Sequence, residues 1–292
     1  MRAKPHHGET SLRSGAAAPA IALTIAGSDS SGGAGTQADL KTFSALGVYG
    51  ASVIVALTAQ NTRAVTAIHD VPLDVVEAQT AAVLDDLDVG AIKIGMLSSP
   101  DIVHTVAKAL EGYDGPVVLD PVIVSKSGAK LLRDEAIDAL VSTLLPRATL
   151  ITPNLPEAGA LLGEPAARDD EEARAQGERL ARLGPAVLMK GGHAEGALCT
   201  DLLVLPGGGL SRFTAPRIDT PNTHGTGCSL SSAIAAGLAK GLEMEDAVRA
   251  AHDWLQGAIR ASDRLKVGSG HGPVHHFHQL WSDQEPRDEV TS

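Results

Sequence analysis

Two glycine-rich segments of the sequence contain residues that could hold an anion. They are residues 27–35 (GSDSSGGAG) and 222–232 (NTHGTGCSLSS). In the second segment, Gly225, Thr226 and Gly227 come just before an alanine-rich helix. The first backbone N–H groups of such a helix have no intrahelical acceptor, and they lie at the positive end of the helix dipole. This loop is therefore a candidate anion hole.

Cys228 stands at the start of that predicted helix. A helix N-terminus lowers the pKa of a thiol, so the position predicts an accessible thiolate. A small buried cysteine that packs at the helix start is the alternative, and spacing alone does not separate the two. The preceding His-Gly-Thr-Gly favours a functional cysteine.

The first glycine-rich segment, residues 27–35, is weaker evidence for anion binding than the second. It has neither the Gly-Lys-Ser/Thr of a P-loop nor a clean dinucleotide fingerprint. Taken alone, it is better explained as a tight turn between a strand and a helix. Asp39 lies about one turn into that helix, and from its position alone we expect the carboxylate to face solvent.

Polar residues also follow three apolar segments that are predicted strands. Asp120 follows residues 117–119, and Lys190 follows 186–189, where it could neutralise polyphosphate charge. Asn154 and Glu157 are three residues apart and could both turn toward one Mg²⁺, directly or through water. The alternative for this pair is a helix start, with Asn154 as the cap and Glu157 in the first turn. Taken alone, the pair is better explained by the helix start.

The histidines give weaker signals. His193 and His224 lie near the candidate site, and a structural hydrogen bond is the simpler expectation for each. Four more lie close to the C-terminus, at His271, His275, His276 and His278. No cysteine or carboxylate joins these four at ligand spacing, so metal binding is the minority interpretation.

The elements that must position these residues alternate between short apolar runs and longer segments of helical period. The predicted strands are 21–26, 52–57, 91–94, 117–119, 150–152 and 186–189, and the predicted helices are 75–87, 100–110, 135–144, 169–183, 229–240 and 244–262. Segments 198–205 and 210–216, joined by PGGG, predict an antiparallel hairpin. The pattern predicts an α/β fold with a mostly parallel central sheet and helices on both faces. Ligands of such sheets bind at the carboxyl ends of the strands.

The composition limits the class of protein and its partners. Of the 292 residues, 43% are hydrophobic, which predicts a globular chain with a sizeable core. The net charge of −11 argues against nucleic acids and anionic membranes as partners. No apolar run is long enough to span a bilayer, and two isolated cysteines suit a reducing, cytoplasmic location. We predict a disordered extension over 1–19, a single domain over 20–281 and a short tail over 282–292.

The motifs together resemble one family. They are AGSDSSGGAGTQADLKTFSALGVYG, TAQNT, IKIGML, VLDPV, TPNLPEA, LMKGGH and NTHGTGCSLSSAIAAGL. In this order they resemble the hydroxymethylpyrimidine/phosphomethylpyrimidine kinases of thiamine biosynthesis, within the ribokinase-like superfamily, from Ile21 to about Leu280. The resemblance implies a ribokinase-like fold, a homodimer, ATP and Mg²⁺ as cofactors, and two successive phosphoryl transfers to an aminopyrimidine and its monophosphate.

The resemblance also implies roles for individual residues. Cys228 is the expected catalytic residue, as base in the first transfer. The expected substrate-binding residues are Gln60, Asp39, Gly27, Ala34, Met96 and Val122. The expected ATP- and phosphate-binding residues are Lys190, Gly225, Thr226, Gly227, Asn154, Glu157 and Asp120. Magnesium is expected near Asp120, Asn154 and Glu157, through phosphates and water.

Two alternatives remain at this point. Related kinases that act on pyridoxal or hydroxymethylpyridine also carry a cysteine at the position of Cys228. Arg63 and Ala64 stand where the family has Leu-Gly, which leaves fine specificity open. A non-catalytic pyrimidine-binding module is the second alternative, although such a module would not need the phosphate-binding residues. Loop 125–129 has no assigned role, and a mobile phosphate cover is one interpretation.

Overall fold

The computed structural model describes residues 18–123, 131–132, 134–193 and 196–281. Most of the predicted extension, the tail 282–292 and loop 125–129 lie outside the described residues. The predictions for these segments, and the division of the chain into domains, therefore stay predictions.

The strands of the described chain form one nine-stranded sheet. They are β1 (Ile21–Asp29), β2 (Tyr49–Gln60), β3 (Val65–Asp70), β4 (Ala91–Ile94), β5 (Val117–Leu119), β6 (Leu150–Ile151), β7 (Ala186–Met189), β8 (Leu198–Val204) and β9 (Leu210–Pro216). Their order is β3-β2-β1-β4-β5-β6-β7-β8-β9. The six strands from β2 to β7 in this order are parallel, and β3, β8 and β9 are antiparallel to their neighbours.

Helices cover both faces of the sheet. They are α1 (Gly35–Ala45), α2 (Leu73–Leu84), α3 (Pro100–Ala109), α4 (Asp134–Ala139), α5 (Leu155–Leu162), α6 (Asp170–Ala181), α7 (Thr226–Ala239) and α8 (Met244–Arg260). Residues Leu140–Leu144 continue α4 as a wider, π-type turn. Helices α1, α7 and α8 pack on one face, and α2 to α6 pack on the other.

Successive strand residues enter opposite cores because side chains alternate across a strand. In β5, Val117 and Leu119 join the core beneath α2 to α6, whereas Val118 joins the core beneath α7 and α8. All three are buried, as a parallel strand covered on both faces requires. The same burial on both faces explains why the predicted strands are mostly apolar.

The predicted mostly parallel sheet with helices on both faces is confirmed, and the bounds of β4, β5 and β7 agree with the prediction. The sequence analysis missed β3, which pairs with the end of β2 at the edge of the sheet. This strand is largely exposed, so it lacks the apolar run by which the central strands are identified. No helix in the described part of the chain is long and apolar enough to cross a membrane.

Candidate active site

The predicted site residues lie at the carboxyl ends of the parallel strands and at the start of α7. The two glycine-rich segments touch there: a Cβ on Gly225 would collide with the carbonyl oxygen of Gly33. Gly225 also has a φ of 77°, which favours glycine. The loop after β1 thus fixes the entry to α7, whose first free N–H groups form the candidate anion hole.

A buried ion pair stands beside this helix start. Lys190 Nζ lies 2.9 Å from Asp120 Oδ1 and 3.8 Å from Glu157 Oε2. A Cβ placed on Gly227 would lie 3.3 Å from Lys190 Nζ and 3.5 Å from Asp120 Oδ2. The Lys190 side chain is 15% exposed, so the protein does not enclose it completely. The structure therefore places a cation next to the helix N-terminus.

The charges of this cluster depend on one another. Burial alone would lower the pKa of Lys190, but the carboxylates of Asp120 and Glu157 raise it above its ordinary value. Burial alone would raise the pKa of Asp120, but Lys190 and Lys93 lower it, so Asp120 is ionised at neutral pH. For Glu157, the effect of burial outweighs the attraction of Lys190, so the pKa of this carboxyl is raised above its ordinary value.

Asn154 and Glu157 form the helix start that was the alternative in the sequence. Asn154 N donates to Glu157 Oε2 at 2.8 Å, and Glu157 N donates to Asn154 Oδ1 at 2.8 Å, which is a capping box at α5. Asn154 Oδ1 and Glu157 Oε2 are therefore engaged with the backbone. Within the described residues, no group of three or more His, Cys, Asp or Glu side chains is placed to hold a metal ion. Asp120 and Glu157 offer carboxylate oxygens, the ligand type that Mg²⁺ prefers.

Asp39 does not face solvent, and that expectation was wrong. Its side chain is fully buried, and both carboxylate oxygens lie 2.8 Å from Lys93 Nζ. Thr24 Oγ1 donates to Asp39 Oδ2 at 2.6 Å, and Ser232 Oγ donates to Oδ1 at 2.7 Å. Direct contact with a substrate would require these partners to separate. The sequence signal that was missed is a lysine inside the apolar strand AIKI, which a buried carboxylate must neutralise.

Replacing Lys93 with methionine is expected to destabilise the protein by about 3–5 kcal/mol, because it leaves the Asp39 carboxylate buried without its counter-ion. A second change, Asp39→Asn, should recover part of that loss, which equilibrium unfolding in urea would measure. The matched control is Lys108→Met, since the Lys108–Glu77 pair is exposed and should contribute no more than about 1 kcal/mol. Equal effects of the two lysine replacements would contradict the role of the buried pair.

Cys228 lies between the starts of α7 and α1, where its thiol accepts a hydrogen bond from the backbone N–H of Gly35. The predicted lowering of its pKa is wrong. Burial raises the pKa of this thiol to about 11, because the carboxylates of Asp39 and Asp120 add to the desolvation and Lys93 only partly offsets it. Cys228 is therefore a thiol at neutral pH.

The residues predicted to line the pyrimidine pocket surround the end of β1. Gly27 N donates to the carbonyl of Met96 at 3.3 Å, and a Cβ on Gly27 would lie 2.9 Å from Met96 Cε. A side chain at Gly27 would therefore push the end of the Met96 side chain away from the strand. Ala34 lies beside Gly225, and Val122 N donates to the carbonyl of Asp120 at 2.8 Å. These contacts bring the predicted pocket next to the predicted phosphate site.

Asp29 and His224 connect this pocket to the α7 loop, and the sequence analysis gave Asp29 no role. His224 Nε2 lies 2.9 Å from Asp29 Oδ2 and 3.3 Å from the carboxamide of Gln60. The backbone N–H groups of Ser31, Gly33 and Ala34 also donate to the Asp29 carboxylate. The predicted structural hydrogen bond of His224 is confirmed, whereas the side chain of His193 lies outside the described part of the chain.

Asp29 should make the stability of the fold depend on pH. Burial alone would raise its pKa, but the hydrogen bonds of His224 and the 31–34 backbone lower it from 3.8 to about 2. Its contribution to folding is therefore fully present above pH 4 and is lost as the pH falls toward 2. In urea unfolding, the wild type should exceed Asp29→Asn in stability by a constant margin from pH 7 to about 5 and by a shrinking margin below pH 4. A margin that stays constant down to pH 3 would contradict the lowered pKa.

The glycine-rich segment 268–272 holds the loops of the site together. Thr62 O accepts the N–H of His271, and Asn222 Oδ1 accepts the N–H of Gly272. Arg63 lies in a turn closed by Asn61 Oδ1, directly beneath Gly270. Arg63 and Ala64, which stand where the family has Leu-Gly, therefore lie at the rim of the site.

One of the histidines that follow, His276, contacts the start of α7. His276 Nε2 lies 3.0 Å from Ser229 Oγ in the first turn of α7. Burial lowers the pKa of His276 to about 3, so this histidine is neutral and can accept the hydroxyl proton. Its contact helps to fix the start of the helix.

Comparisons with known proteins find matches along most of the chain. The family model for phosphomethylpyrimidine kinase matches residues 29–275. A hydroxymethylpyrimidine/phosphomethylpyrimidine kinase from Rhizobium meliloti is 56% identical over 265 residues, which cover 90% of this chain and 99% of the relative. The solved phosphomethylpyrimidine kinase of Clostridium difficile is 44% identical with a TM-score of 0.73, over 82% of this chain and 99% of the other. An ADP complex of Bacillus subtilis pyridoxal kinase is 36% identical with a TM-score of 0.82, over 90% of this chain and 100% of the other.

Proposed function

The chain belongs to the phosphomethylpyrimidine kinase family, and on this premise we propose that it transfers a phosphoryl group from ATP twice in thiamine biosynthesis. The first acceptor is the hydroxymethyl group of 4-amino-5-hydroxymethyl-2-methylpyrimidine. The second is the monophosphate that this transfer produces, which becomes the diphosphate.

One observation carries the proposal: a lysine cation and a helix N-terminus stand next to a pocket that ends in a carboxamide. Lys190 and Gly227 are adjacent at the phosphate side. Gln60, Gly27 and Met96 are grouped at the other side, at the ends of strands that neighbour one another in the sheet. A carboxamide offers a donor and an acceptor, which matches an amino group beside a ring nitrogen. A pure binding module would have no use for the phosphate side.

Charge stabilisation is the main contribution of the protein to phosphoryl transfer. We assign Lys190 and the N–H groups of Gly225, Gly227 and Cys228 to the phosphoryl group that moves, whose negative charge is spread over its three equatorial oxygens. The N–H of Thr226 instead donates to the carbonyl of Thr223 at 3.4 Å. Asp120 and Glu157 would hold Mg²⁺ through water, with Asn154 fixing Glu157 through the capping box. When bound, Mg²⁺ neutralises the charge of the phosphates.

Cys228 is assigned as the base of the first transfer only. The hydroxymethyl oxygen must lose a proton as it attacks, and the thiolate of Cys228 would accept it at Sγ. In the second transfer the attacking oxygen belongs to an anionic phosphate, which carries no proton that must be removed. The hydrogen bond from Gly35 N and the charge of Lys93 both favour the thiolate.

The proposal is tested by measuring ADP release with Mg·ATP and four acceptors: hydroxymethylpyrimidine, its monophosphate, pyridoxal and ribose. We expect turnover of both pyrimidines and little of pyridoxal or ribose. Turnover of pyridoxal alone would contradict the proposal and assign the chain to the vitamin B6 branch, which the similarity to the Bacillus subtilis enzyme makes the specific rival. Pyrimidine binding without ADP formation would indicate a binding module.

We also propose a homodimer and a cytoplasmic location, both of which follow from the family resemblance and the sequence. Light scattering should give a mass close to that of two chains of 29.9 kDa. A mass of one chain at micromolar concentration would contradict the dimer.

A further inference from the structure

We propose that His224, held by Asp29, fixes the direction in which the Gln60 carboxamide faces the pyrimidine, and so sets the preference for an amino over an oxo substituent. His224 would then be a positioning residue for substrate selection. The proposal rests on the proposed function, since it takes Gln60 as the residue that recognises the ring.

The first step concerns the proton on His224 Nε2. Asp29 Oδ2, 2.9 Å away, belongs to a carboxylate that also accepts N–H groups from Ser31, Gly33 and Ala34 at 2.8–3.1 Å. A carboxylate with this many donors stays ionised and accepts only. The nitrogen that faces it must therefore carry the proton, so His224 is fixed in the Nε2–H form.

The second step concerns the two ends of the Gln60 carboxamide. In the structure, Gln60 Nε2 lies 3.3 Å from His224 Nε2 and Gln60 Oε1 lies 3.2 Å from Thr58 Oγ1. Exchanging the two ends of an amide leaves its shape unchanged, so the hydrogen-bond partners decide the direction. His224 Nε2 carries a proton and has no lone pair to accept an N–H, so the oxygen belongs at the His224 end. The Thr58 hydroxyl gives its only proton to the carbonyl of Ser28, at 2.8 Å. It can therefore only accept from Gln60, so the NH₂ group belongs at the Thr58 end.

Both neighbours thus assign the same direction to the amide by independent proton counts. One lone pair of the oxygen and one N–H of the NH₂ group remain for a ligand. An aminopyrimidine edge offers an N–H beside a ring nitrogen that accepts, which matches this pair. The 4-oxo analogue offers the reverse order, an oxygen that accepts beside a ring N–H. To match the fixed amide it would have to turn over, which would move its 5-hydroxymethyl group away from the phosphate side.

His224 is well placed to hold this direction. Its backbone N–H donates to the carbonyl of Gly272 at 3.0 Å, and its carbonyl accepts the N–H of Val274 at 3.4 Å. The backbone at Gly33 packs so closely on the imidazole that a Cβ there would collide with the ring. The residue is 7% exposed, so the ring has little freedom to turn.

The test compares kcat/KM for the aminopyrimidine and for its 4-oxo analogue in three proteins: the wild type, His224→Leu and His224→Gln. The wild type should prefer the amino form by about a hundredfold or more, since the wrong order leaves buried polar groups unpaired. His224→Leu removes one of the two contacts that set the direction of the amide and leaves only the Thr58 hydroxyl, so the preference should fall at least about tenfold. His224→Gln places an NH₂ donor near the same position and should keep most of the preference, which a merely structural loss would not allow.

His104→Leu on the exposed face of α3 is the matched control and should leave the preference unchanged. If a variant has too little activity, calorimetric titration with the two pyrimidines gives the binding ratio directly, on protein shown by its melting temperature to be folded. An unchanged preference in His224→Leu would overturn the inference while leaving the kinase assignment intact. A wild type that phosphorylates neither pyrimidine would instead contradict the proposed function, and one that accepts both equally would overturn the inference alone.

Discussion

Replacing Lys190 with methionine is expected to lower kcat for both phosphoryl transfers by about a hundredfold to a thousandfold. Lys190 carries the ammonium at the start of α7, and its loss removes charge stabilisation that both transfers need. Initial rates of ADP release, measured separately with the hydroxymethylpyrimidine and with its monophosphate, check this. The two rates should fall by similar factors.

The same change leaves Asp120 buried without its ion-pair partner, so stability must be measured in parallel. Lys190→Arg keeps the positive charge and should retain the fold with a smaller loss of rate. Lys108→Met, at an exposed position remote in sequence from the site loops, should leave both rates unchanged. A folded Lys190→Met protein with near wild-type rates would contradict the role assigned to this ammonium.

Replacing Cys228 with alanine is expected to lower the first transfer by about a hundredfold or more and the second by less than about tenfold. The difference follows because only the hydroxymethyl group has a proton to lose. With a thiol pKa of about 11, the thiolate is a minor species at neutral pH. The first transfer of the wild type should therefore accelerate about tenfold per pH unit between pH 7 and 10, as the thiolate population rises.

In Cys228→Ala this acceleration should disappear, and the second transfer should show no such dependence in either protein. Cys199→Ala is the matched control, because Cys199 lies in β8 and belongs to no part of the site. Equal losses in both transfers, or the same pH dependence with and without Cys228, would contradict the assignment as base. An anion-hole role alone would then remain for this residue.

The fold and much of the site could be predicted because their signals are local in the sequence. Strands such as Val117–Leu119 and Ala186–Met189 are apolar throughout because helices cover both faces of the sheet. Parallel strands carry the residues that follow them to one edge of the sheet. Asp120 and Lys190 each follow such a strand, so both were predicted to lie at this edge. Although they are 70 residues apart in the sequence, they form an ion pair.

What could not be predicted depends on partners from distant segments. Asp39 was expected to face solvent from its position one turn into an apolar helix, whereas its counter-ion Lys93 arrives from β4. The pKa of Cys228 was misjudged for a similar reason: the helix N-terminus is visible in the sequence, but the burial of the thiol and the carboxylates around it are not. The contact of Asp29 with His224 joins residues 195 positions apart, which no spacing rule indicates.

The central claim is that one site phosphorylates the pyrimidine twice, and a time course of products tests it most directly. The protein is mixed with the hydroxymethylpyrimidine and excess Mg·ATP. The pyrimidine species are then separated by chromatography, and each is identified and quantified by mass spectrometry. We predict that the monophosphate rises and then falls as the diphosphate accumulates, with two ADP released for each pyrimidine consumed. A pyrimidine that stays unphosphorylated, or a diphosphate that never forms from the monophosphate, would contradict the account.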